Sequence, residues 1–130
     1  MEFVIAIPSI KRPKEMYVYK TVASLLSAMS EEEKKKVLIV VSINEPWDES
    51  YESEVHQTFQ AKFSNEISDG VLEVISPKAE FYPDLDHLPV SLGDKQDRIK
   101  WRTKQNLDYA FLMLHTWSRA KYYIQVLSRY

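Results

Sequence analysis

Val37 to Ile43, VLIVVSI, is the stretch that most restricts what this chain can fold into. Every position except Ser42 is apolar and most are β-branched, with no alternation of polar and apolar residues. Such a run reads as a strand buried on both faces, and that requires covering layers above and below its sheet. Phe3 to Ile7, FVIAI, has the same character; it is expected to end at Pro8, before a polar loop from Ser9 to Pro13. Strands of this kind belong to parallel sheets, whose neighbours need crossover segments long enough to hold helices.

The intervening segments supply those helices. From about Lys14 to Met29, Val18, Val22, Leu25, Leu26 and Met29 recur at helical spacing. Ser30 and Glu33 have the spacing of a capping box, but Ser30 to Lys36 reads as a polar connection with one helical turn. Asn44-Glu45-Pro46-Trp47-Asp48 breaks the second strand. Glu49 to Phe63, with the stripe Val55, Phe59 and Phe63, predicts a second helix stopped at Ser68-Asp69-Gly70. Val71 to Ile75 is a third strand. Pro77 to Gly93 is a long proline-bearing loop, and Phe81 and Tyr82 beside Pro83 predict that it packs. Asp94 is a candidate cap for a third helix, Lys95 to Ser118, with Leu107, Ala110, Phe111, Leu114 and Trp117 as its apolar face. Lys121 to Leu127 reads as a fourth strand. Strand and helix alternate throughout, so the expected fold is α/β, a parallel sheet sandwiched by helices with right-handed crossovers.

Composition removes several function classes. A net charge of −2 offers no general attraction to nucleic acid, and no apolar run is long enough to span a bilayer. No signal peptide is visible at the start. The absence of cysteine excludes disulfides, cysteine-ligated zinc and thiol catalysis. Two glycines, Gly70 and Gly93, are too few and too far apart for a P-loop or a glycine-rich dinucleotide fingerprint. His56, His87 and His115 are scattered and read as structural, and no nucleophile with an adjacent base stands out.

In a parallel sheet, ligands bind at the carboxyl ends of the strands where their order reverses. The segments brought there are Pro8 to Arg12, Asn44 to Asp48, Pro77 onward and the residues after Val126. The third helix begins on the same side with RIKWRTKQNLDY, residues 98 to 109. It carries Arg98, Lys100, Arg102 and Lys104 at alternate positions. Guanidinium groups at a helix start suit a phosphate, and Asn44 or Glu45 after a strand suits a sugar hydroxyl or a base edge. The bland readings stand beside these. Lys11 and Arg12 can be solvated, Glu45 can be a turn residue, and the helix cations can pair with Asp94, Asp97 and Asp108 on the surface. Trp101 reads as packing rather than as stacking on a base.

Several strings occur together in one order: IPSIKR, EISDGVLEVISP, FYPDL, then RIKWRTKQNLDYAFLM and YYIQ. Over Phe3 to about Gln125 the chain resembles the alpha-1,3-mannosyl-glycoprotein 4-beta-N-acetylglucosaminyltransferases, which branch N-glycans. The resemblance implies a GT-A-like (Rossmann-like) fold, incomplete here, whose N-terminal half binds UDP-N-acetylglucosamine. It implies transfer of N-acetylglucosamine in β1,4 linkage to a mannose of the N-glycan core, with a divalent cation such as Mn²⁺, in the Golgi. It places Pro8, Ser9, Lys11, Arg12 and Glu45 beside the nucleotide, and has Arg102, Lys104, Gln105, Asn106 and Asp108 brace the diphosphate side or the metal loop.

The resemblance also predicts an acidic metal-binding run at about positions 127 to 129. Leu127, Ser128 and Arg129 stand there, and none is a hard carboxylate ligand. The expectation is therefore a partial glycosyltransferase domain over residues 1–130, with a divergent tail at 126–130, no retained metal and no activity alone. A second expectation is a non-catalytic form that acts on another Golgi transferase, or that associates with a partner or with itself through an open sheet edge.

Overall fold

The computed structural model describes residues 1–11, 17–87 and 95–126. Arg12, the expected start of the first helix at Lys14, the Asp94 cap and Leu127-Ser128-Arg129 lie outside the described residues. Four strands, β1 (Phe3–Ser9), β2 (Val37–Ile43), β3 (Leu72–Ile75) and β4 (Tyr122–Gln125), form one sheet in the order β3-β2-β1-β4, and every pairing is parallel. The helices are α1 (Tyr17–Ala28), α2 (Glu31–Lys34), α3 (Glu49–Lys62), α4 (Ser64–Ser68) and α5 (Gln96–Thr116). This is the Rossmann-like α/β arrangement expected from the strand pattern.

β2 is buried along its whole length. Its odd residues, Val37, Ile39, Val41 and Ile43, join Val18, Val22 and Leu26 of α1 and Val55 and Phe59 of α3 in one core. Its even residues Leu38 and Val40 join Val4 and Ala6 of β1 and Leu112 of α5 in a second core on the opposite face. The lack of alternation in VLIVVSI thus reflects two separate cores, one on each side of the sheet. Each step from β1 to β2 to β3 carries its helix on one face, and the return step to β4 carries α5 on the other. One crossover hand accounts for both.

Three details differ from expectation. β1 runs through Pro8 to Ser9. Pro8 has the parity of Ala6, whose carbonyl accepts from the Val126 amide of the β4 side. The missing N–H of Pro8 therefore faces beyond the last β4 rung, where no donor is required. The one helical turn expected between Ser30 and Lys36 is present as α2, with both halves of the capping box formed. The second helix is divided after Phe63, and the short α4 then ends at Gly70, whose φ of 78° turns the chain into β3.

The third correction concerns α5. Its buried stripe is Lys104, Asp108, Leu112 and Thr116, together with Ile99 near the start. Leu114 and Trp117 of the expected face are 69% and 80% exposed. The buried stripe is turned by about 145° around the helix from the expected apolar face, because a paired lysine and aspartate occupy it.

Candidate functional site

The strand order reverses between β1 and β4, and the carboxyl ends of β1 and β2 lie beside that reversal. The Asn44 amide donates to the Ser9 carbonyl at 2.8 Å, so the β1–β2 ladder continues one step past β2. Ser9 and Asn44 are both buried there. The Lys11 amide donates to Glu45 Oε1 at 3.0 Å, and Lys11 Nζ donates to Asp48 Oδ2 at 3.2 Å. Asp48 also caps α3, with Oδ1 accepting from the Tyr51 amide at 3.0 Å. Both contacts hold the Asp48 carboxyl below its usual range, the backbone bond contributing most. Glu45 and Asp48 thereby fasten the loop after β1 to the loop after β2.

Alternate residues of a helix are about 200° apart, so the four cations of α5 divide into two pairs. Lys100 and Lys104 face the 83–86 segment, while Arg98 and Arg102 are exposed on the other side. Lys100 Nζ donates to Asp86 at 2.8 Å. Lys104 is 3% exposed and donates to the fully buried Asp108 at 2.8 Å. The Tyr82 hydroxyl donates to the other Asp108 oxygen, and Lys104 lies 5.6 Å from the centre of the Tyr82 ring. Burial first, then the Asp108 carboxylate, raises the Tyr82 pKa, so the phenol remains a donor. Trp47 packs on the Tyr82 ring at 5.2 Å, and Phe81 packs on Phe111. Lys104, Asp108 and Tyr82 therefore tie α5 to the loop after β3.

Gln105 donates to the Tyr109 hydroxyl at 3.1 Å, and Arg102 and Asn106 are exposed one turn apart. Burial, with the Tyr109 phenol nearby, pushes Tyr123 of β4 up to about 12. The Tyr123 hydroxyl donates to Gln125, whose amide reaches the Ala6 carbonyl at 3.3 Å. Gln105, Tyr109, Tyr123 and Gln125 thus form a polar wall along the reversal between β1 and β4.

The structure brings Ser9, Lys11 and Glu45 together, with Pro8 adjoining them in β1. It places Lys104 with Asp108 in a buried brace, and Arg102, Gln105 and Asn106 on another helix face. A cavity of about 370 Å³ opens between these groups, lined by Glu45, Trp47, Asp84, Asp86, Trp101 and Lys104 among others. Trp101 is 49% exposed at its wall and is not a packing residue, contrary to expectation. Trp47, Asp84 and Asp86 were missed by sequence reasoning, which read Tyr82 only as packing, a role its burial bears out. Their signals were an indole four residues past a strand end and aromatic-Pro-Asp in a long loop.

A divalent cation at a diphosphate needs several hard oxygen donors converging on one point. Among the described residues no three potential ligands gather in this way. Glu45 and Asp48 hold the Lys11 loop, Asp84 bonds His87 and the Asp86 amide, Asp86 holds Lys100, and Asp108 holds Tyr82 and Lys104. These carboxylates do not fit a metal site, and no chemical step is assigned to one.

Comparison of the sequence with known proteins shows its family. The family described as the MGAT4 conserved region matches residues 1–128. The chain is 47% identical over 123 residues to alpha-1,3-mannosyl-glycoprotein 4-beta-N-acetylglucosaminyltransferase B of Homo sapiens, covering 95% of this chain and 22% of that protein. It is 43% identical over 126 residues to the B enzyme of Danio rerio, covering 97% of this chain and 23% of the relative. It is 45% identical over 123 residues to the A enzyme of Xenopus tropicalis, covering 95% and 23%. No solved structure matches. The chain thus spans less than a quarter of the length of these relatives. Among the described residues, no helix is long and apolar enough to cross a membrane. Matched along nearly its whole length, the chain belongs to the MGAT4 conserved-region family.

Proposed function

We propose that residues 1–130 form the nucleotide-sugar-binding portion of a GT-A-type glycosyltransferase domain, with 126–130 as a divergent tail. The donor is UDP-N-acetylglucosamine. The whole protein transfers N-acetylglucosamine in β1,4 linkage to a mannose of the N-glycan core, in the Golgi. The relatives' names specify a mannosyl-glycoprotein acceptor and an N-acetylglucosaminyl transfer. The observation that carries the reading is the junction of Lys11 and Glu45. It fastens two strand-end loops beside the one reversal of a parallel sheet, the position at which such sheets take nucleotides. In this reading Ser9, Lys11 and Arg12 border the nucleotide, and Arg102, Gln105 and Asn106 approach the diphosphate from α5. Lys104 and Asp108 act by holding α5 in place.

This chain by itself binds UDP without transferring sugar, because positions 127 to 129 hold no carboxylate for the metal. Calorimetric titration with UDP, with and without Mn²⁺, tests this. Binding of equal strength in both is expected, and Glu45→Ala weakens it about tenfold while Glu45→Gln, still an acceptor for the Lys11 amide, weakens it less. Absence of UDP binding by the unmodified chain defeats the nucleotide reading. Strong enhancement by Mn²⁺, or measurable transfer from labelled UDP-N-acetylglucosamine, defeats the claim that the chain works without metal and without turnover.

A further inference from the structure

Tyr109 closes the run WRTKQNLDY, and the nucleotide reading gives it no part. Arg102, Gln105 and Tyr109 stand at i, i+3 and i+7 on α5, so they share one row of the helix. Long side chains of a helix lean toward its N-terminus. The Tyr109 phenol accordingly reaches back one turn, where its oxygen accepts from Gln105 Nε2 at 3.1 Å. The start of α5 lies by the loop after β3, to which Lys100 is bonded, and its end leads into the start of β4. Leaning toward the helix start therefore carries the phenol toward the carboxyl edge of the sheet.

The hydrogen bonds of the wall decide what the phenol can do there. The Tyr123 hydroxyl donates to Gln125, whose amide is spent on the Ala6 and Val126 carbonyls. Tyr109 receives a bond from Gln105, but among the described residues nothing accepts its own proton. A partly buried O–H of this kind is a donor held ready for an incoming acceptor. The same row begins with the exposed Arg102 guanidinium. Arg102 and Tyr109 thus offer N–H and O–H donors with a full positive charge. A uracil edge alternates carbonyl acceptors with an N3–H donor, whereas every outer oxygen of a diphosphate accepts. The row therefore matches the diphosphate better than the base.

We propose that Tyr109 is a ligand-binding residue of the nucleotide site, its phenol donating to a diphosphate oxygen, and that Gln105 is a positioning residue that aims the phenol. The assignment rests on the nucleotide reading above. NMR titration of ¹⁵N-labelled protein with UDP and with uridine, followed on the Lys11 amide, provides the test. Tyr109→Phe, which removes the hydroxyl and keeps the ring, should weaken UDP about tenfold and leave uridine unchanged. Gln105→Ala should weaken UDP about threefold, and should add nothing in the Tyr109→Phe background, because it acts through the phenol. Thermal melts of Tyr109→Phe should match those of the unmodified chain. In unmodified protein carrying ¹³Cζ-tyrosine, the Tyr109 signal should shift with UDP while that of Tyr122, at the start of β4, stays still.

UDP binding of equal strength to the unmodified chain and to Tyr109→Phe overturns the proposal and leaves the nucleotide reading standing. Equal losses for UDP and uridine overturn it as well, because the phenol would then face the nucleoside. A Tyr109 signal that stays still at saturating UDP does the same without any variant. Additive losses in the double variant remove the positioning role of Gln105. Absence of UDP binding by the unmodified chain defeats the nucleotide reading itself, and this assignment with it.

Discussion

Lys104 and Asp108 illustrate how one residue pair can be visible in a sequence while its role is not. Their i, i+4 spacing marks them as partners, and on an exposed helix such a pair contributes only about 0.3–0.5 kcal/mol. Here both are buried beneath Tyr82, and the balance changes. Removing one charge leaves the other without compensation in a place that water does not reach. Lys104→Met is expected to destabilise the fold by about 3–5 kcal/mol in urea denaturation. The double change Lys104→Met, Asp108→Leu should cost less than Lys104→Met alone, because no isolated charge remains. A double variant as unstable as the sum of the two single ones would show that the pair is not acting as a unit. The burial of this pair was hidden because hydrophobic periodicity counts charged residues as outward-facing. A neutralised pair with a phenol donor behaves as a core group.

At the scale of elements, β3 is joined to the turn after α5 by a fork of charge. Arg119 donates to both oxygens of Glu73, at 2.7 and 3.1 Å, and His115 adds a contact at 2.5 Å. The Arg119 bond above all, with His115 helping, lowers the Glu73 carboxyl from 4.5 to about 2. A folded value below the unfolded one means stabilisation that is complete above about pH 4.5 and lost as pH falls toward 2. Both side chains keep about a third of their surface in water, so screening reduces the effect. Thermal melts between about pH 5 and pH 2 should fall more steeply for the unmodified chain than for Arg119→Gln. Parallel curves would mean that the fork does not contribute to acid stability. Nothing in the order of residues announces this joint, since Glu73 and Arg119 are brought together only when the sheet and α5 are stacked. Local elements were more legible. The capping box of Ser30 and Glu33 and the glycine turn at Gly70 each depend on a few neighbouring residues, and both formed where their spacing placed them.

For the whole molecule, the two cores predict an uneven distribution of stability. β1 and β2 are covered on both faces, while Tyr122 and Ile124 of β4 are exposed and its outer edge has no strand partner among the described residues. Amide hydrogen exchange should be slowest in Val4 to Ile7 and Leu38 to Ile43, and clearly faster in β4. Equal protection in all four strands would show that β4 is covered in solution. The strand–helix alternation, the parallel sheet, the position of β2 inside it and the family membership were all readable from the chain alone. Each rests on runs of adjacent residues, where side-chain volume and helical or strand period act locally. The angular face of α5, the continuation of β1 through Pro8 and the cavity between Trp47 and Trp101 were decided only by the tertiary structure. Each depends on what a distant segment presents: a phenol for a buried aspartate, a strand end beyond a proline, a second indole across a gap. The cations from Arg98 to Lys104 show the division plainly. Their spacing requires two helix faces, and only the packing of α5 on the sheet determines that Lys104 turns inward while Arg102 stays in water.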